Sequence, residues 1–169
     1  MGRVVSSLGN YSLTIGCTAT DFPPLCGSKP AREPGVMRKT MSADINHYIK
    51  ELSEFIPEFS DYWASDEAAF NFGSDSTVHG VFSDFSTLVI DQLECGSLEH
   101  PDKLFSYIES VVVAGGEPAN AACTCFLENI LNRVPGPVNP ESFVPYLGPH
   151  SVKFCRAWDD FTGVKTHGL

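Results

Sequence analysis

The sequence predicts an all-α fold, a compact bundle of about five to six helices in which chain neighbours are antiparallel. Apolar residues recur at helical spacing in several segments between residues 41 and 163. Proline and glycine separate these segments at short intervals, and short connections favour antiparallel packing of consecutive helices. Hydrophobic residues make up 43% of the 169-residue chain, which is enough to build one globular core.

The first predicted helix begins the domain at about Met41. Ser42 or Asp44 can cap it, and apolar residues follow at helical spacing as far as Pro57, where proline ends the helix or begins a short turn. The next long helix runs from about Thr77 to Glu94 with a 3.6-residue period. A glycine follows it at the position of a C-terminal cap.

Prolines also mark the starts of the later helices. Pro101 and Pro118 begin two of them, and a short helix follows the pair Asn139 and Pro140. A last amphipathic helix begins at Pro149 and ends at Gly163. Its predicted inward face carries Val152, Phe154, Cys155, Trp158 and Phe161.

The chain has two chemically different parts. Residues 1–40 hold five Lys/Arg and two acids (+3), whereas residues 41–169 hold six Lys/Arg and nineteen acids (−13). Four prolines and two glycines between residues 17 and 37 predict a disordered N-terminal extension over residues 1–40. We therefore expect the helical domain at residues 41–163, with a short tail at 164–169, and consider Met41 an alternative translation start.

The charge of the domain excludes two classes of partner. A strongly acidic surface repels phosphate backbones and anionic lipid heads, so we expect neither nucleic-acid nor membrane binding. A basic protein partner is the natural complement, and acidity that serves solubility alone is the alternative. No apolar run reaches the length of a membrane span, the start is a poor secretion signal, and six cysteines match no disulfide framework. We expect a cytoplasmic protein.

Helical phase gathers acids on the first predicted helix. At 100° per residue, Asp44, His47, Glu51, Glu54 and Glu58 fall on one face, opposite the apolar stripe. Such a face is either a solvated surface or a docking stripe for a cationic partner. We predict that Asp44, Glu51, Glu54 and Glu58 bind the partner, with Asp159 and Asp160 on the last helix as second candidates.

The residues suited to catalysis or metal binding form no recognisable motif. Cys123 and Cys125 lie about 200° apart on a helix, so one ion could not bind both, and we expect most cysteines to be buried small hydrophobes. Among the histidines, His79 with Asp84 nearby in sequence is the strongest candidate for a base. There is no phosphate-binding glycine loop. We expect no catalytic residues, no metal and no cofactor.

Three segments together carry a family resemblance. They are Phe82-Ser-Asp-Phe85, the stretch from Leu104 through Gly115-Gly116 to Asn129, and Tyr146-Leu-Gly-Pro149 leading to Trp158-Asp-Asp-Phe-Thr-Gly163. The chain resembles a family of small, acidic, helical bacterial proteins of uncharacterised biochemistry, some of which look like immunity proteins to polymorphic or contact-dependent toxins. The resemblance covers about Met41 to Gly163. It implies no catalytic motif, and it implies stoichiometric inhibition of a basic toxin domain.

Two other functional classes stay open at this point. A helical enzyme or ligand-binding domain can draw its pocket residues from distant helices, which sequence order does not reveal. A scaffold subunit can bury an acidic or aromatic surface in a larger assembly. Turnover would identify the first class, and an obligate co-purifying subunit would identify the second.

Overall fold

The computed structural model describes residues 45–134 and 136–169, and the predicted all-helical fold is confirmed there. These two ranges contain no strand. The predicted extension over residues 1–40, the start at Met41 and the predicted binding residue Asp44 lie outside the described residues.

Seven α-helices occur in the described part of the chain, and two of them join end to end. They are α1 (Ile45–Ser53), α2 (Phe59–Ala64), α3 (Val78–Cys95), α4 (Pro101–Ala114), α5 (Gly116–Ala121), α6 (Glu128–Leu131) and α7 (Pro149–Thr162). A π-helical segment, Ala122–Leu127, connects α5 to α6 without a break. Short 3-10 turns lie at Gly73–Asp75, Pro140–Ser142 and Val144–Tyr146.

α1 ends four residues before the predicted stop at Pro57. Its last residue is Ser53, and the Glu54 N–H then donates to the Glu51 carbonyl at 3.2 Å, only three residues back. This tighter bond ends the α-helical geometry. Glu54 and Glu58 therefore lie in the turn after α1, and the prediction of one acidic stripe along a single helix is wrong.

α3 is the central helix, and its predicted bounds are confirmed to within one residue at each end. Thr77 caps its start, since the Thr77 hydroxyl accepts a hydrogen bond from the Gly80 N–H at 3.2 Å. Gly96 ends it in the left-handed conformation, with φ of +66°. α3 packs against α1, α2, α5 and the π-helical segment.

Phenylalanine rings from several elements meet in the core. Phe59 of α2 meets Phe85 of α3 edge to face, with ring centroids 5.0 Å apart. Phe126 of the π-helical segment stacks on Phe85 at 5.8 Å and approaches Phe105 of α4 at 6.1 Å. Phe143 extends this series beyond Phe105. The rings link five parts of the chain and fix how the helices pack.

The π-helical segment contains the two neighbouring cysteines. The Glu128 N–H donates to the Cys123 carbonyl, five residues back, which is the hydrogen-bond spacing of a π-helix. Cys123 and Cys125 are both half-buried, and Cys125 packs on the core. Asn129 stabilises this geometry, because its Nδ2 donates to the Cys125 carbonyl at 2.6 Å and to Ser86 Oγ at 2.9 Å.

α7 begins at Pro149 and is capped by Gly163 at a φ of +75°, as predicted. Its inward face is narrower than predicted: Cys155 is buried and Trp158 is half-buried against the core, but Phe161 is 72% exposed. The predicted inward position of Phe161 is therefore wrong. The residues after Gly163 fold back on the domain, with Thr166 buried.

Candidate functional site

Two phenylalanine side chains are exposed side by side between α2 and α3. The loop of residues 65–77, called the aromatic loop below, leaves 43% of Phe70 and 64% of Phe72 accessible to solvent. Their rings meet edge to face, with centroids 6.5 Å apart. Adjoining exposed aromatic side chains are typical of binding surfaces. The aromatic loop is the strongest candidate for a functional site in the described residues.

α3 fixes the first half of the aromatic loop. The buried carboxylate of Asp84 accepts hydrogen bonds from the backbone N–H groups of Ala69, at 3.2 Å, and Phe70, at 3.0 Å. Burial raises the pKa of Asp84, and these two hydrogen bonds only partly offset it. A Cβ atom on Gly80 would lie 2.8 Å from Phe70 Cβ, so only glycine allows this approach. The Phe70 backbone is therefore held against α3.

Polar side chains fix the second half of the aromatic loop. Asn71 Nδ2 donates to the Trp63 carbonyl at 2.7 Å, and Asn71 Oδ1 accepts from the Gly73 N–H at 3.1 Å. Ser76 Oγ accepts from the Phe72 N–H at 2.8 Å. These bonds order the backbone of the aromatic loop. An ordered loop loses less conformational entropy when it binds than a flexible loop does.

The aromatic loop lies in the most acidic part of the sequence. From Glu51 to Asp102 the chain holds twelve Asp/Glu and no Lys or Arg. Asp66, Glu67 and Asp75 lie in the aromatic loop itself, and all three are exposed. Their carboxylates surround Phe70 and Phe72 in sequence with negative charge only. A partner surface that carries cations fits this charge pattern.

The region that contains the aromatic loop matches a known family. A model for a domain of unknown function, DUF7674, matches residues 49–163. The chain belongs to DUF7674. The match begins inside α1 and ends at the Gly163 cap, so it includes the aromatic loop, Gly80 and Asp84. No curated protein and no solved structure matches the chain.

Membership of DUF7674 supports the coarser part of the family resemblance, namely a helical domain of uncharacterised biochemistry that reaches Gly163. The finer parts, an immunity function and a bacterial source, are not part of what the match shows. The resemblance also placed the start near Met41, whereas the family model begins matching at residue 49.

The three predicted partner-binding residues on and just after α1 are accessible at the surface of the DUF7674 domain. Glu54 and Glu58 are exposed in the turn between α1 and α2. Glu51 is half-buried on α1, and its Oε1 lies 3.9 Å from His47 Nδ1. Their role in binding stays a prediction. Glu51 lies on a helix, whereas Glu54 and Glu58 lie in the turn that follows it.

Asp159, one of the predicted partner-binding residues, is buried rather than exposed at the surface. Only 5% of Asp159 is exposed, and its carboxylate accepts hydrogen bonds from the Thr166 N–H at 2.7 Å and the Thr166 hydroxyl at 2.9 Å. It fastens the C-terminal segment to α7. Asp160 is exposed and lies 3.1 Å from Lys165 Nζ. Asp160 alone of this pair is available at the surface.

Glu109 is another acid that stabilises the fold, and sequence analysis did not single it out. From α4 its carboxylate accepts four hydrogen bonds at the start of α7. Two come from His150, from the backbone N–H and from Nδ1, both at 2.9 Å. Two come from Ser151, from the backbone N–H at 2.9 Å and from the hydroxyl at 2.6 Å. Burial raises the pKa of Glu109, but these four bonds outweigh burial and lower the pKa to about 2. Gly148 makes room for this carboxylate.

The residues considered for catalysis or metal binding do not form a catalytic or metal-binding arrangement in the described part of the chain. His79 lies 3.8 Å from Glu117 and 3.2 Å from Asn120, rather than beside Asp84. Burial raises the thiol pKa of Cys123 to about 11 and of Cys155 to about 12, which disfavours the reactive thiolate. In residues 45–134 and 136–169 no three His, Cys, Asp or Glu side chains are grouped to hold a metal ion.

The described residues contain one further cysteine, Cys95. Cys95 is exposed at the end of α3, contrary to the expectation that most cysteines are buried. No helix of the described residues has the length and apolar character needed to cross a membrane.

Sequence analysis missed the aromatic loop because its phenylalanines follow no helical period. Phe70-Asn71-Phe72 stands directly before Gly73, between residues typical of turns. Aromatic residues in such a segment do not contribute to an amphipathic face, and this mismatch is the available signal.

Proposed function

We propose that this DUF7674 domain is a protein-binding module that engages a basic partner through the aromatic loop. The observation that supports this most is the exposure of Phe70 and Phe72 on an ordered loop, within a span of twelve acids and no Lys or Arg. Acidity alone can serve solubility, and exposed apolar side chains alone are common on protein surfaces. Exposed apolar rings set among like charges are explained better by a partner that carries both apolar and cationic groups.

The two kinds of side chain have different roles in this proposal. Phe70 and Phe72 are the anchors, because aromatic side chains that become buried at the centre of an interface contribute most of its binding energy. Partner arginines can stack on their faces. Exposed acids around them, with Glu54 and Glu58 further away in sequence, raise the association rate.

The finer form of the proposal is an immunity protein. Toxin domains that cut nucleic acid carry basic surfaces because their substrate is anionic, and an acidic domain competes for that surface by stoichiometric binding. This form is supported by the acidity of the domain and by the family resemblance in the sequence. It requires no catalytic residue in the domain.

Affinity capture with matched variants tests the proposal. The full 169-residue chain is immobilised and exposed to lysate of the organism that encodes it, in parallel with the double variant Phe70→Ser/Phe72→Ser. The control is the double variant Val113→Ser/Phe161→Ser, which removes two side chains that are 58% and 72% exposed elsewhere. We expect wild type and control to retain the same basic protein and the loop variant to bind it at least about tenfold more weakly.

Kinetics separate the acids from the aromatic side chains. Reversal of Glu51, Glu54 and Glu58 to Lys should slow association severalfold at low salt and have little effect at high salt, because salt screens exposed charges. The loop variant should act mainly on dissociation. A captured protein that is not basic, or that binds the loop variant as tightly as wild type, would refute the proposal.

A growth assay tests the immunity form separately. The captured partner is expressed alone and together with the full chain. Toxicity that wild type relieves and the loop variant does not relieve supports the immunity form. A harmless partner contradicts the immunity form and leaves the protein-binding module in place.

A further inference from the structure

A groove that shares no lining residue with the aromatic loop lies where α1, α4 and the start of α5 meet. Its volume is about 240 Å³. Its lining combines two tyrosines and a histidine with small residues: His47, Tyr48, Tyr107, Ser110, Val111, Ala114, Gly115 and Pro118. Sites for drug-sized ligands occupy roughly 300–1,000 Å³, so this groove suits a smaller group.

The groove contains the C-terminal end of α4. Ser110, Val111, Ala114 and Gly115 form the last turn of that 14-residue helix and its cap. In the described residues, neither Gly115 nor Gly116 donates a backbone hydrogen bond to this turn, whereas Gly96 closes the end of α3 in that way. The last carbonyls of a helix carry partial negative charge and attract cations.

Carboxylates and aromatic rings add to this preference for a cation. Glu51 does not line the groove, but its Oε1 lies 3.9 Å from Nδ1 of His47, which does, and no Lys or Arg lines the groove. Tyr48 and Tyr107 present aromatic rings, on whose faces ammonium and guanidinium groups bind. The pKa of the Tyr107 phenol is raised by burial and then by the charge of Glu51, so the negative potential extends to this side of the groove.

Tyr107 also has an unused hydrogen-bonding atom. Its Oη is buried and is the one such side-chain atom in the described part of the chain that has no hydrogen-bond partner. Unsatisfied buried polar atoms are rare in folded proteins and call for an explanation. Because this oxygen is not accessible from the groove in the structure, a ligand N–H could donate to it only after the Tyr107 side chain rotates.

We infer that the groove between α1, α4 and α5 binds a small organic cation, an ammonium or guanidinium group, against Tyr48, Tyr107, Glu51 and the C-terminal carbonyls of α4. The inference rests on the chemistry of the groove and is independent of the aromatic loop. Such a group can belong to a free small molecule or to an Arg or Lys side chain of another protein.

NMR titration of the full chain tests the inference at constant ionic strength. The probes are Nα-acetyl-arginine amide, called arginine amide below, and its neutral analogue Nα-acetyl-citrulline amide, called citrulline amide below. Arginine amide should shift the amide signals of His47, Tyr48, Tyr107, Ser110 and Gly115 and saturate at millimolar concentration, and citrulline amide should not. Equal shifts with both probes, or shifts spread over every acidic surface without saturation, would overturn the inference.

Two conservative variants and one control assign the contacts. Glu51→Gln should weaken arginine amide binding about two- to fivefold, and Tyr107→Phe should weaken it without changing the fold. Glu94→Gln removes the same charge from an exposed site at the end of α3 and should have no effect. Affinity that falls equally for Glu51→Gln and Glu94→Gln would show general charge attraction and contradict a specific groove.

A third probe distinguishes the two sources of the cation. A capped Gly-Arg-Gly peptide places the same guanidinium within a protein-like backbone. If it binds in the groove more tightly than arginine amide, the natural ligand is a side chain of another protein. If arginine amide binds more tightly, the ligand is a free small molecule. If neither binds in the groove, the inference is wrong.

Discussion

Replacing Glu109 with glutamine should destabilise the domain more than any other single loss of negative charge on α4. The Glu109 carboxylate is 15% exposed and accepts four hydrogen bonds at the start of α7. Its pKa falls from 4.5 to about 2, a difference that corresponds to roughly 3 kcal/mol in favour of the folded, ionised state. Glutamine keeps the shape but offers one acceptor oxygen where the carboxylate offered two.

The sign of the pH dependence follows from the lowered pKa. Because the folded-state pKa of Glu109 lies below the unfolded value, its contribution to stability is complete above about pH 4.5 and is lost as the pH falls towards 2. About 2 kcal/mol of it should be gone at pH 3. The difference between wild type and Glu109→Gln should therefore shrink from about 3 kcal/mol at pH 7 to about 1 kcal/mol at pH 3.

Denaturant unfolding of the full chain at both pH values measures this difference. Glu94→Gln is the control, since Glu94 is exposed and makes no ion pair in the described residues. Its unfolding free energy should stay within about 0.5 kcal/mol of wild type. A Glu109→Gln loss below about 1 kcal/mol at pH 7, or a loss that does not change with pH, would show that the carboxylate does not cap α7 in solution.

Two further substitutions test the packing of the aromatic loop and of α7. Gly80→Ala should cost about 1–3 kcal/mol in unfolding free energy, because its Cβ would lie 2.8 Å from Phe70 Cβ, and an unchanged unfolding midpoint would contradict that close approach. Trp158→Ala should cost about 2 kcal/mol, because the ring is only half-buried, and a loss of about 3–5 kcal/mol would indicate full burial of the ring.

The sequence predicts helix ends well where a cap or proline acts locally. Gly96 after α3, Pro101 at α4 and Gly163 after α7 each fix the backbone with neighbouring residues, and all lie where predicted. Thr77, predicted as about the first residue of α3, is its cap. The end of α1 was missed because no proline or glycine marks it. The π-helical segment was missed because its stabilising contact, from Asn129 to Ser86, joins residues 43 positions apart.

The candidate site was harder to predict than the fold, because it depends on contacts between residues that are far apart in the sequence. The phase of a helix identifies which acids face away from the apolar stripe, but it does not reveal what the rest of the chain places there. The helical phase places Asp159 at the surface, but in the structure Thr166 covers it and donates two hydrogen bonds to its carboxylate. Phe70 and Phe72 follow no pattern that distinguishes them in the sequence, and their exposure depends on the loop that Asp84 holds.

The acids of the domain divide into those that the fold uses and those that it does not. Asp84, Glu109 and Asp159 are extensively buried and accept backbone hydrogen bonds. Exposed acids of the aromatic loop, such as Asp66 and Asp75, form no ion pair with the described residues.

Fold stability does not explain this second group, because unpaired like charges repel one another and destabilise the compact state. Solubility is served by a net charge of about 2–8 in magnitude, whereas residues 45–169 hold eighteen acids and six Lys/Arg, a net of −12. Solubility is also opposed by two exposed phenylalanines within the same acidic segment. The basic partner proposed above would account for the excess charge and the exposed rings together, whereas neither solubility nor stability accounts for both.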